Sequence, residues 1–112
     1  MSEEILPTEN EVLRKTITII NKLGLHARAS AKLVRVSSYY TSDIKIRCDE
    51  KIVDDKPVKT EEKIVDGKSI MGIMMLAASK GVSLEIIACG EDAADAIKAI
   101  TELVNNRFDE SE

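Results

Sequence analysis

Between residues 14 and 107 the apolar spacing of this chain switches back and forth between a period of two and a period near 3.6, and the order of those switches limits the folds open to it. Thr16-Ile17-Thr18-Ile19 alternates polar with β-branched apolar residues, which predicts a half-buried strand, and Asn21-Lys22-Leu23-Gly24 breaks it. Ala29, Leu33, Val36 and Tyr40 then share one stripe of a helix over 27–39. Ile44, Ile46 and Cys48 alternate with Lys45 and Arg47 as a second strand. The Ala, Met and Leu content of 69–79 favours a helix that begins at Ser69 and is closed by Lys80-Gly81. Val82, Leu84, Ile86 and Ala88 mark a further strand, ended by Gly90-Glu91-Asp92. Asp92 is the expected N-cap of a last helix, with its stripe on Ala93, Ala96, Ile97, Ile100 and Val104 and its end near Arg107.

The stretch between the second strand and Ser69 holds an internal repeat. Lys51-Ile52-Val53-Asp54-Asp55-Lys56 recurs as Lys63-Ile64-Val65-Asp66-Gly67-Lys68, each copy preceded by acids. Two copies are too few for a repeat array, which needs about three units to bury a shared face. A tandem duplication inside one hairpin explains them, spanning about 51–68. The second copy is expected to be the strand, because it runs directly into the helix at Ser69, and the first to lengthen or bulge out of the hairpin. The order is then βαββαβα, an α+β open-faced β-sandwich: a four-stranded, mostly antiparallel sheet with three helices on one face. Residues 1–13 read as a mobile N-terminal extension, 14–108 as the domain, and 109–112 as a frayed acidic tail.

Composition narrows the function. Apolar residues make up 44% of the 112 residues and aromatics only 3%, so an aliphatic core is expected. The 16 basic against 20 acidic residues give a net charge of −4, which argues against a nucleic-acid partner. No apolar run is long enough to insert into a membrane, and the acidic start MSEEILPTEN lacks the basic region of a secretion signal, so a cytoplasmic protein is expected. Cys48 and Cys89 are not spaced as metal ligands, and His26 is the one histidine, so neither a metal site nor a cofactor is expected.

His26 stands at the break between the first strand and the first helix, with Arg28 two residues on. The first N–H groups of a helix lack partners inside it, and with the dipole they favour an anion at that end. The same field disfavours an imidazolium, so the ring should tend to be neutral and nucleophilic near pH 7. A phosphoryl group on it would meet the amides of Ala27, Arg28 and Ala29 and the planar guanidinium of Arg28. Position alone also allows a histidine that merely caps the helix.

Gly24-Leu25-His26-Ala27-Arg28 resembles the active-site signature of HPr, the histidine-containing phosphocarrier family of the phosphoenolpyruvate-dependent phosphotransferase system. Gly67-Lys68-Ser69-Ile70-Met71-Gly72-Ile73-Met74 resembles the family segment that carries a regulatory serine, and Ala78-Ser79-Lys80-Gly81 the turn after it. Asn21-Lys22-Leu23-Gly24 and the ending Leu103–Asp109 resemble the nitrogen-related branch. The resemblance implies that His26 accepts a phosphoryl group on Nδ1 from phosphorylated enzyme I and passes it to a histidine of an enzyme IIA domain. Arg28 would neutralise the phosphate. The chain would thus be a monomeric carrier in sugar transport or nitrogen regulation rather than a stand-alone turnover enzyme. It departs from the family at Ala29, where proline is usual; alanine restores a backbone N–H and frees φ, and transfer is expected to survive this.

Ser69 has two readings: an N-cap, and, by the resemblance, a target of HPr kinase/phosphorylase. The apolar residues of 70–77 surround their helix, so part of that surface should stay exposed. By the resemblance Leu25, Ile70, Met71 and Met74 would face partners, and Ile73 and Leu76 the core. The same apolar surface could instead pack on the N-terminal extension or on a second copy. A competing class is a non-catalytic regulatory module of the same fold, acting through Ser69 and the methionines. A small-molecule- or RNA-binding α+β domain would share the element order but is disfavoured by the acidity and the few aromatics.

Overall fold

The computed structural model describes residues 11–112; most of the expected N-terminal extension therefore lies outside the described residues. The elements are β1 (Val12–Thr18), α1 (Ala27–Ser38), β2 (Asp43–Val53), β3 (Lys56–Asp66), α2 (Ile70–Met75), β4 (Ser83–Cys89) and α3 (Ala93–Asn105), followed by a single turn at Arg107–Asp109. The strands form one sheet in the order β1-β4-β2-β3 with every pairing antiparallel, an α+β open-faced sandwich with α1, α2 and α3 over the sheet. The period-two alternation decides the layering. Ile17, Ile44, Ile46, Leu84, Ile86 and Ala88 point into the core, where Leu33, Ile73, Ile100 and Val104 meet them from the helices.

Four sequence expectations are corrected. β1 starts at Val12, inside the span expected to be mobile, because Val12 and Leu13 pair with Cys89 and Ala88. The α2 helix is only six residues long and stops well before Lys80. Ala77 leaves the helical region at φ +49, and the chain that follows docks on the segment after β1. There Leu25 N–H donates to the Ala78 carbonyl at 2.9 Å and Gly81 N–H to that of Ile19 at 2.8 Å. These tertiary hydrogen bonds outweigh the helix propensity of Leu76-Ala77-Ala78. Asp92 precedes α3 but makes no side-chain cap to it. Its carboxylate accepts instead from Thr41 N and Ser42 N, both at 2.9 Å, and from both hydroxyls, tying the α1–β2 connection to the start of α3. Lastly, the core is not wholly aliphatic: Phe108 is its largest fully buried side chain.

The repeat builds an overlong hairpin. β4 pairs with β2 only as far as Arg47, opposite Glu85, so beyond that point β3 is the one strand that β2 pairs with. The first copy forms the hairpin tip, turning at Asp54 and Asp55 with both residues at positive φ, as a two-residue hairpin turn of this hand requires. Pairing shifts between Cys48↔Lys63 and Glu50↔Lys59, where Asp49 alone faces Thr60, Glu61 and Glu62. The second copy carries the ladder from Lys63 to Asp66 and on into α2.

Deleting residues 51–62 would leave Cys48 opposite Lys63 across a two-residue Asp49-Glu50 turn. The shortened chain should unfold in one cooperative thermal transition with the far-ultraviolet dichroism of the parent; loss of cooperativity would contradict the hairpin assignment. Hydrogen bonds from Ser42 and Thr41 hold the Asp92 carboxyl at about 2, well below its ordinary value. Its stabilisation is thus complete above about pH 4 and is lost as pH falls towards 2. Acid denaturation of Asp92→Asn should accordingly show a shallower loss of stability over that window than the parent does.

Candidate functional site

The segment from Asn21 to Ala27 is fixed before any functional side chain is placed. Gly24 adopts φ +66, and a Cβ there would lie 2.5 Å from the Ala78 carbonyl oxygen, so only glycine fits against the α2–β4 loop. Buried Asn21 donates through Nδ2 to the Gly24 carbonyl at 2.9 Å, and Ser30 Oγ donates to that of Leu25 at 3.1 Å. Leu25 itself is 5% exposed and belongs to the core, so it offers no surface to a partner and serves to seat the loop. The chain then enters α1 with His26 as the N-cap, in extended geometry at φ −73 and ψ −179.

His26 is held at both ring nitrogens. Nδ1 accepts from the Arg28 amide at 3.3 Å, which makes the imidazole the cap of its own helix. Nε2 lies 2.5 Å from Glu110 Oε2. The ring is partly open, with 28% of its side chain exposed, and it borders a cleft of about 840 Å³ lined also by Lys22, Arg28, Lys32 and Glu112. Of the three expected amide donors, Ala27 and Arg28 stand at the surface, whereas Ala29 is fully buried with its methyl in the core. A lone pair on Nδ1, a first helical turn and three cations thus share one open cleft, an arrangement suited to receiving a phosphoryl group.

Glu110 is the site residue that sequence reading missed. The tail is not frayed: after α3 the chain turns back through Arg107, Phe108 and Asp109 at φ +55, +53 and +63. Such left-handed geometry costs roughly 1 kcal/mol or more per non-glycine residue. The burial of Phe108, a Lys32 Nζ hydrogen bond to the Phe108 carbonyl at 2.6 Å and a Lys22 N–H bond to the Glu112 carbonyl at 2.7 Å hold it. Glu110 is thereby brought over His26, with Oε1 accepting from Asn21 Nδ2 at 3.0 Å. Burial would raise the Glu110 carboxyl, but the hydrogen bonds of Asn21 and His26 and the charge of Lys32 outweigh it and leave it below the ordinary range. The available signal was the chain's one phenylalanine set among charged residues, an apolar anchor that a solvated tail would not need.

The other expected positions lie on or beside α2, which packs against α1. Ser69 caps α2, its Oγ accepting from Gly72 N at 3.1 Å. Ile70, Met71 and Met74 are exposed, Met71 to 71%, while Ile73 and Leu76 are buried. Met75 and Leu23, which sequence reading did not single out, are also largely exposed.

Comparison with known proteins identifies the family. The family model described as the PTS HPr component phosphorylation site matches residues 13–106. Phosphocarrier protein HPr of Pseudomonas aeruginosa is 49% identical over 97 residues, covering 86% of this chain and 94% of that protein. Phosphocarrier protein NPr of Shewanella violacea is 36% identical over 99 residues, 88% and 96% of the two chains. Among solved structures, HPr-C-His from Thermoanaerobacter tengcongensis superposes with a TM-score of 0.70 at 38% identity, covering 89% of this chain and 99% of that one. With its histidine at the mouth of α1 and its β1-β4-β2-β3 sheet, the chain belongs to the HPr family of phosphotransferase-system phosphocarriers.

Proposed function

We propose that this chain takes a phosphoryl group from phosphorylated enzyme I on Nδ1 of His26 and hands it to a histidine of an enzyme IIA domain. The observation that carries the reading is the placement of Nδ1 against the first-turn amide of α1 in an open cleft. A phosphoryl group on Nδ1 would meet the same Arg28 N–H that Nδ1 now accepts, and the Arg28 side chain is free to swing over its oxygens from an exposed position. A carrier must also release what it accepts. A cleft open to solvent, with charges exposed enough to be screened, stabilises the phosphoryl group only moderately.

The partner surface in this reading is α2, which packs on α1 and leaves Ile70, Met71 and Met74 exposed; unbranched methionines repack readily against more than one partner. Ser69 is the regulatory position. Its phosphorylation would replace the Gly72 cap by a larger anion at the same helix end and set negative charge beside that surface.

The direct test incubates the chain with phosphoenolpyruvate, magnesium and enzyme I. The parent should gain the mass of one phosphoryl group, lost again in mild acid, and His26→Ala should gain none. Acid-stable labelling, or equal labelling of His26→Ala, would refute the assignment.

A further inference from the structure

Three features outside the described chemistry stand out: the overlong hairpin with its exposed edge strand β3, the charged network of Arg47, Asp49, Lys59 and Glu62 on the open face of the sheet, and the returned tail over His26. The hairpin edge shows nothing of what would cover it. The network is satisfied within itself. The tail reaches the reacting residue.

The geometry points to Glu110 as a positioning residue that holds the proton on Nε2 of His26 and neutralises the charge the ring acquires when Nδ1 is phosphorylated; this rests on the phosphocarrier reading above. Before transfer, a carboxylate on Nε2 requires that nitrogen to carry the proton, and the Arg28 amide facing Nδ1 requires that one to carry the lone pair. The two contacts select the same tautomer from opposite sides of the ring. In the transfer, the Nδ1 lone pair forms the new N–P bond as the donor's N–P bond breaks, and that electron pair returns to the donor nitrogen. No proton leaves Nε2, so the neutral ring becomes an N-phosphoryl imidazolium with its positive charge shared by the Nε2–H. Glu110 is already seated at that N–H, as a carboxylate is behind the imidazole of a hydrolytic triad.

The carboxylate is not a passing surface acid. Its side chain is only 15% exposed, it is gripped from behind by Asn21, and it is delivered by a left-handed turn that the burial of Phe108 sustains. Strained backbone next to a reacting group, held by the surrounding fold, is where positioning devices are found. Asn21 links the two halves of the arrangement. The same Nδ2 holds the Gly24 carbonyl, and so the loop that carries His26, and the Glu110 carboxylate that orients the ring. The other charged groups facing the pair are Arg28 and Lys32 from α1, Lys22 from the preceding turn, and Asp109 and Glu112 from the tail.

Glu110→Gln keeps the size and an acceptor oxygen but removes the charge, and Glu61→Gln removes one acid of the same kind from an exposed position on the β2–β3 hairpin, outside the cleft. Both are to be compared with the parent in the enzyme I assay and, once phosphorylated, by nitrogen-15 resonance across pH. Glu110→Gln should be phosphorylated about tenfold more slowly, and its phosphorylated ring should give up the Nε2 proton about one pH unit lower, whereas Glu61→Gln should match the parent in both. If the parent is labelled and Glu110→Gln matches it in rate and ring titration, the positioning role is overturned and the carrier reading stands. Faster labelling of Glu110→Gln overturns it as well, since the tail would then be a gate that obstructs the donor. A parent that takes no label sinks the carrier reading, and this inference with it.

Discussion

The site depends on one close backbone approach, the passage of Gly24 beneath the α2–β4 loop. The absent side chain lets Leu25 N–H reach the Ala78 carbonyl, and the two connections then lock together as a short extension of the sheet. The helix-entry side of the His26 environment follows from that lock. It ends α2 early, buries Leu25, aims the chain into α1 with an extended residue at the cap, and leaves the first-turn amides at the surface. A larger residue at position 24 would meet main-chain atoms rather than a side chain able to move aside, so the loops would have to part.

A second constraint acts from the far end of the fold. Phe108 fills the core below α1 and α3, and in doing so forces three consecutive left-handed residues that a solvated tail would have no reason to adopt. The fold thus holds strain at the segment that meets His26 and offsets it with aromatic burial and hydrogen bonds from Lys22 and Lys32. Cations on α1 and in the preceding turn face acids on the tail across the same cleft, so the site is close to electrically balanced.

The parts of this arrangement governed by periodicity could be read from the residues alone. Alternation at Ile44, Ile46 and Cys48, and again at Leu84, Ile86 and Ala88, fixed which faces of β2 and β4 are buried, and the stripe through Ala29 and Leu33 placed α1. Ile73 and Leu76 face inward and Met71 and Met74 outward as the family pattern implied. What sequence alone did not disclose depends on contacts remote in the chain. Leu76-Ala77-Ala78 is a good helix by propensity and ends one because Leu25 and Ile19 need its neighbours' backbone groups. Asp92 is a good cap by type and is drawn off by the amides and hydroxyls of Thr41 and Ser42. Glu110 has no periodic pattern at all; it meets His26, 84 residues earlier in the chain, only because Phe108 anchors the turn before it.

In the proposed carrier reading, this fold leaves one particular nitrogen of one ring free to bond phosphorus. Nitrogen–phosphorus coupling in the nitrogen-15-labelled, enzymatically phosphorylated chain reads that bond directly. The coupling should appear on Nδ1 of His26, with Nε2 still bearing its proton; coupling on Nε2, the atom that Glu110 covers, would contradict that reading.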